Sequence, residues 1–389
     1  MTTWSVVKDD SREKRRRGLL PRISLLACLG LVVVSLGVAL SPQSPEEPAE
    51  PLFSEQARSA ALAETMRLRA AGEQLGQSPS ADGQPAVART VSLLTSQARA
   101  LLVPGLEEPG ASQRTGTVTT STAPPAGSAS GSPATAGSAF VAAPASGPAS
   151  SAAAPASAAA LATALAASAS QRLADAAVAD GGMARLLAAV GTAQLLQASA
   201  LATAAGAPAP AVPDPAAPQL SGLCPSASAS PSPSPGGASA GKDPAPPSLP
   251  AALAATVETE LETVYGYQVA LTRLGGEAAA PASELLARHE ALATGAEALS
   301  RMHCAPIPPR EAGYTMAPGF LASPSAGLGG LEASALPVYG DLVALSDGET
   351  RQWAISGLVG AARRSALWGA DAGALPGLTA DADTFPEIP

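Results

Sequence analysis

The hydropathy pattern opens with an uncharged run, ISLLACLGLVVVSLGVAL, over residues 23–40. As a helix, eighteen residues extend about 27 Å, close to the ~30 Å hydrocarbon core of a bilayer. Residues 41–51 follow as a polar stalk rich in Pro and Glu. Apolar positions then recur at steps of three and four, the period of an amphipathic helix. Phe53, Leu62, Met66 and Leu75 mark one helix over 52–76, and Val87, Val91, Leu94, Ala98 and Leu101 a second over 85–103. With the turn-rich GQSPSADGQP between them, they predict a helical hairpin over 52–103. A further helical segment is expected over 156–206, broken at Gly181-Gly182. The densest pattern lies in 250–370 and predicts four helices, at about 250–274, 281–303, 328–346 and 349–369, with a tail over 371–389. The predicted fold class is all-α.

Composition removes the alternatives. Ala supplies 91 of the 389 residues and aromatic residues only 3%, too few aromatic and β-branched side chains for a sandwich or barrel. Residues 104–155 and 207–249 are built mainly from Ala, Ser, Gly, Thr and Pro, which do not bury enough surface to offset the entropy of ordering; both are expected to be disordered linkers.

Charge adds a direction. Residues 1–22 form a basic head of net +4, which leaves −13 on the remainder. A basic head before an apolar run predicts a cytoplasmic amino terminus, a membrane segment at 23–40 and a body outside the cytoplasm, giving a single-pass cell-membrane protein. Gly37 and Ala39 stand at −3 and −1 of a signal-cleavage site before Leu40, which keeps secretion after cleavage as the alternative. Arg16-Arg17-Gly18-Leu19-Leu20 resembles a twin-arginine signal, although three arginines before an apolar stretch are more simply the positive-inside cluster. The net charge of −9 argues against a nucleic-acid partner. The membrane, through 23–40, and an envelope protein are the expected partners.

Chemistry-bearing residues are few. With three Cys and two His, no Cys₄ or Cys₂His₂ zinc site forms within one chain, and neither a phosphate-loop nor a nucleophile-elbow motif occurs. Cys28 lies in the apolar run, leaving Cys224 and Cys304 in the exported part; a disulfide between them is expected, with free thiols or pairing between chains as the alternative. Met302-His303-Cys304 reads as a helix end with a cap and a disulfide partner. Tyr265, Tyr267, Trp353 and Trp368 read as bulky core filling, and Arg363-Arg364 as a solvated helix end.

Three stretches carry a family resemblance: TELETVYGYQVALTRL, LLARHEALATGAEAL and LEASALPVYGDLVAL, the last followed by an Arg- and Trp-bearing helix. They resemble an actinobacterial ferritin-like domain family of unknown function, over about the last third of the chain. The resemblance implies a ferritin-like four-helix bundle, in which the long connection between the second and third helices is the crossover. Di-iron members of that fold use a Glu from each of two helices and Glu-x-x-His from each of the other two. Here Glu260, His289 and Glu332 lie on apolar faces, but the residue three before His289 is Leu286 and the last helix has no His. The ligand set is incomplete, so no metal or cofactor is expected. The predicted role is non-enzymatic, structural or partner-binding. The alternative is metal or cofactor binding by Glu260, His289 and Glu332, weighed against a buried network in which the imidazole bridges the two carboxylates.

Overall fold

The computed structural model describes residues 52–77, 84–102, 155–210, 216–220, 247–378 and 385–388. The apolar run 23–40, Cys28, Cys224 and most of both expected linkers lie outside these residues. The described residues form eight α-helices and no strand. They are α1 (Phe53–Gly76), α2 (Gln84–Leu101), α3 (Ala158–Val178), α4 (Gly181–Ala204), α5 (Leu249–Leu271), α6 (Ala279–Met302), α7 (Pro324–Leu345) and α8 (Gly348–Leu367).

Local chemistry sets the boundaries. Ser157 caps α3 by accepting from the Ala160 N–H at 3.1 Å, and Asp180 caps α4 by accepting from the Met183 N–H at 3.2 Å. The helical segment breaks at residues 179–180, and the glycine pair at that break opens α4. Gly181 has a packing reason: a Cβ there would lie 2.1 Å from the Ala344 carbonyl oxygen, where α4 meets the end of α7. Pro324, at the start of α7, begins that helix four residues earlier than its apolar pattern suggested. α8 stops where Gly369 turns left-handed at φ 84° and the Ala370 N–H reaches back to the Ser365 carbonyl at 3.0 Å.

The helices pack as successive hairpins, α1 on α2, α3 on α4, α5 on α6 and α7 on α8. α4 lies against α7 and α8 and is buried without a break from Leu187 to Leu195. It is the one helix among the described residues long and apolar enough to cross a membrane, and 67% of its most apolar window is buried. A single core runs from Ala57 and Leu101 through Leu187 and Leu195 to Leu253, Leu299, Leu342 and Leu358, so the upstream helices and the last four share one interior. Leu220, in a segment expected to be a solvated linker, packs on that core. The tail is held too: the Gly377 carbonyl accepts from Arg185 Nε at 2.7 Å and the Ala374 carbonyl from Gln97 Nε2 at 3.1 Å.

Direction within α5–α8 follows from two contacts. His303, just past α6, is hydrogen-bonded through Nε2 to Thr350 Oγ1 in the first turn of α8 at 2.8 Å. Because α8 begins two residues after α7, α6 and α7 end at the same end of the molecule and run parallel. Residues 303–323 therefore travel the length of the helices. On the way Tyr314 meets the Tyr265 ring at 5.8 Å, and Phe320 is buried with Tyr267, Ala282 and Leu328 at the opposite end.

Candidate functional site

Each of the last four helices sends at least one polar side chain to a common interior point. Glu260 and Tyr267 on α5 are seven residues apart, as are Glu332 and Tyr339 on α7, so each pair shares a helix face. The two helices exchange partners. The Tyr267 hydroxyl donates to Glu332 Oε1 at 2.8 Å, and the Tyr339 hydroxyl donates to Glu260 Oε1 at 2.6 Å. His289 of α6 stands between the carboxylates, with Nδ1 2.8 Å from Glu260 Oε2 and Nε2 2.8 Å from Glu332 Oε1. From α8, Arg364 Nε lies 2.9 Å from both oxygens of Glu332. Trp368 Nε1 donates to the Tyr267 oxygen at 2.7 Å. Glu260, His289 and Glu332 are wholly buried.

Proton counting fixes the charge state that satisfies this geometry. A neutral imidazole has one N–H, and an ionised carboxylate only accepts. Both ring nitrogens face a carboxylate, so both bonds are made by the imidazolium. With Arg364 there are then two cations for two anions, and the cluster is neutral as a whole. Burial alone would lower the His289 pKa, but the hydrogen bonds to Glu260 and Glu332 outweigh it and hold the value above the usual one. Burial pushes Glu332 up, and His289 and Arg364 together bring it below its ordinary range. Burial, then the neighbouring Glu332 charge, keeps the Tyr267 hydroxyl protonated; burial and Glu260 do the same for Tyr339.

The structure brings Glu260, His289 and Glu332 together, with the imidazole bridging the two carboxylates. Arg364 is a correction: expected as part of a solvated helix end, it is buried and bonded to Glu332, while its neighbour Arg363 is half-buried. Of the four aromatic residues expected to fill the core, Tyr267 and Trp353 are buried and Tyr265 and Trp368 are only half-buried; Tyr267 and Tyr339 also supply hydroxyls to the network. Among the described residues no group of three or more His, Cys, Asp or Glu side chains is arranged to hold a metal ion. Cys304 lies apart from the network, is disulfide-bonded to a partner outside the described residues, and takes a left-handed backbone at φ 53°.

Residues 252–380 match a family described as Domain of unknown function (DUF4439). No curated protein and no solved structure matches the chain.

Proposed function

We propose that the last four helices form a ferritin-like domain in which side-chain cations stand where a di-iron protein holds metal. The chain carries this domain outside the cytoplasm from a membrane anchor at 23–40, in a non-enzymatic structural or partner-binding role. One observation carries the reading: His289 and Arg364 neutralise Glu260 and Glu332 by direct hydrogen bonds. The parallel α6 and α7, joined by a crossover along the helices, support the ferritin-like topology. The residues present do not fit a di-iron centre. Leu286 stands where the Glu of a Glu-x-x-His would be, and α8 brings Arg364 where that fold needs a ligand. The basic head, the uncharged run and the acidic body support the anchor.

A second reading, metal binding by Glu260, His289 and Glu332, is favoured by their convergence within hydrogen-bonding distance. It requires His289 to give up a proton and one of its carboxylate bonds. Elemental analysis of the full chain purified in detergent separates the two. The first reading expects no stoichiometric iron, zinc, manganese or copper. Stoichiometric metal that His289→Ala abolishes would replace it with the second.

The partner of Cys304 is assigned, in the same spirit, to Cys224. Leu220 packs on the core four residues before it, and Cys28 belongs to the apolar run. Peptide mapping without reduction should recover the 224–304 pair; a free Cys224 thiol would refute it.

A further inference from the structure

We propose that the corner formed by Leu52, Phe53 and Val178 rests on the surface of the bilayer that residues 23–40 enter. The inference rests on the anchor reading of that segment. Among the described residues, six large apolar side chains are exposed, and three of them lie here: Leu52 at 79%, Phe53 at 45% and Val178 at 69%. Single exposed apolar residues need no explanation. These three are brought together by the fold. α1 packs on α3, and the Asp180 N–H just past α3 donates to Ser54 Oγ at 2.9 Å.

Chain length identifies what covers them. Leu52 follows the apolar run by only the eleven residues 41–51. Eleven residues reach at most about 40 Å. The corner is therefore tethered close to the lipid surface. Tethering turns a weak contact into an intramolecular one at an effective concentration of order mM. Apolar side chains at a membrane surface enter the boundary between headgroups and acyl chains, where two adjacent residues and a third from the next helix find an apolar medium.

Charge selects the lipid. Asp180 and Asp347 flank Arg351, which is buried and donates to the Ala179 carbonyl; Glu55 is paired with Arg58 at 2.8 Å. Among the described residues these charges leave no exposed cation excess at the corner for anionic headgroups, so the partner is a neutral, zwitterionic surface.

The test uses the full chain in phosphatidylcholine vesicles with brominated acyl chains, which quench indole fluorescence by contact. Phe53→Trp and Val178→Trp place an indole at the corner. Leu367→Trp, at a site 61% exposed, places one at the other end of α8. The signal is the difference from the parent chain, and plain phosphatidylcholine is the reference. Loss of the added fluorescence at 53 and 178 but not at 367 is the expected result. No loss at 53 and 178, or equal loss at all three, overturns the contact while leaving the anchor intact. Failure of the chain to float with the vesicles overturns the anchor reading and the contact with it.

Discussion

The two halves of the helical body hold together by different means. In α1–α4 the interior is mainly Ala, Leu and Val, with Leu161, Leu165, Leu187 and Leu201 wholly buried, and its buried polar groups are linked in pairs, Arg172 with Asp175 at 3.0 Å and Gln194 Nε2 with Gln97 Oε1 at 3.0 Å. In α5–α8 it is arranged around four charged side chains and two tyrosines. Burying apolar area is non-directional and tolerates small shifts between helices. A hydrogen-bonded charge cluster does not, because one displaced partner leaves another charge buried and unpaired. Buried atoms without a hydrogen-bond partner occur in both halves, Thr192 Oγ1 and Gln194 Oε1 upstream and Arg351 Nε, Arg364 Nη2 and Ser365 Oγ in α8, so the contrast lies in the directly hydrogen-bonded charges and not in unmet bonds. The comparison teaches that helix content and burial are alike in both halves, while the register of α5–α8 is fixed by polar geometry.

The largest expected effect breaks that geometry at its centre. Glu332→Leu removes the acceptor shared by His289, Arg364 and Tyr267, and should cost about 3–5 kcal/mol in urea unfolding. A loss below about 1 kcal/mol would mean that the cluster does not hold the helices in place. Its upstream counterpart, Leu187→Ala, should cost about 2–5 kcal/mol through the cavity it leaves.

The two variants should part company with pH. His289 has a raised pKa, so its contribution is whole below about 6.5, the ordinary histidine value, and is lost as pH climbs through the raised folded value. Glu332 has a lowered pKa, so its contribution is present above about 4.3 and is lost as pH falls through the folded value. Urea midpoints of the parent should therefore fall on both sides of a plateau. Leu187→Ala should run parallel to the parent, whereas Glu332→Leu should flatten both limbs. Parallel curves for all three would remove the network from the account.

Tyr339→Phe deletes one hydroxyl bonded to a buried carboxylate and should cost about 1.5–3 kcal/mol, read by the same titration. Glycines sharpen the comparison further. A Cβ on Gly357 would lie 2.0 Å from Tyr339 Cε1, so Gly357→Ala pushes on the ring that holds Glu260 and should cost about 1–3 kcal/mol. Upstream, Gly182 has nothing within 4 Å of its Cβ position, so Gly182→Ala should stabilise by about 0.4–1 kcal/mol. A thermal melt that reverses those two signs would contradict the packing described.

Helix positions were legible in the sequence because the three- and four-residue period persists even in an Ala-rich chain. Glu260, His289 and Glu332 were legible because each interrupts an apolar face. Arg364 was missed because it stands beside Arg363, and a pair of adjacent cations reads as solvated. The signal was present one step away. Trp353, Gly357, Ala361, Arg364 and Trp368 form a stripe at steps of four, four, three and four, which places Arg364 on the core side. The repeated Glu-x₆-Tyr in α5 and α7 could likewise have announced the exchange of partners. That the upstream helices share a core with the last four was not legible, because contacts across long low-complexity segments leave no local periodicity. Leu220 stands in a Pro-, Ser- and Ala-rich stretch with only Leu223 near it among large apolar residues, so no sustained period marked its burial.

The crossover has a consequence for how the gene tolerates change. Residues 303–323 number 21 and span α7, whose 22 residues extend about 33 Å. Stretched out, 21 residues reach about 70 Å, roughly twice what the connection requires. The surplus is folded along α5 by Tyr314 and Phe320. Doubling the length of a flexible connection costs only about 0.6 kcal/mol, so insertions between those two contact points are cheap. Deletions are cheap only until the slack is spent, at about ten residues; beyond that α6 and α7 can no longer run parallel. Length variation in this domain should therefore collect in the crossover, bounded below by the span of a helix and hardly bounded above.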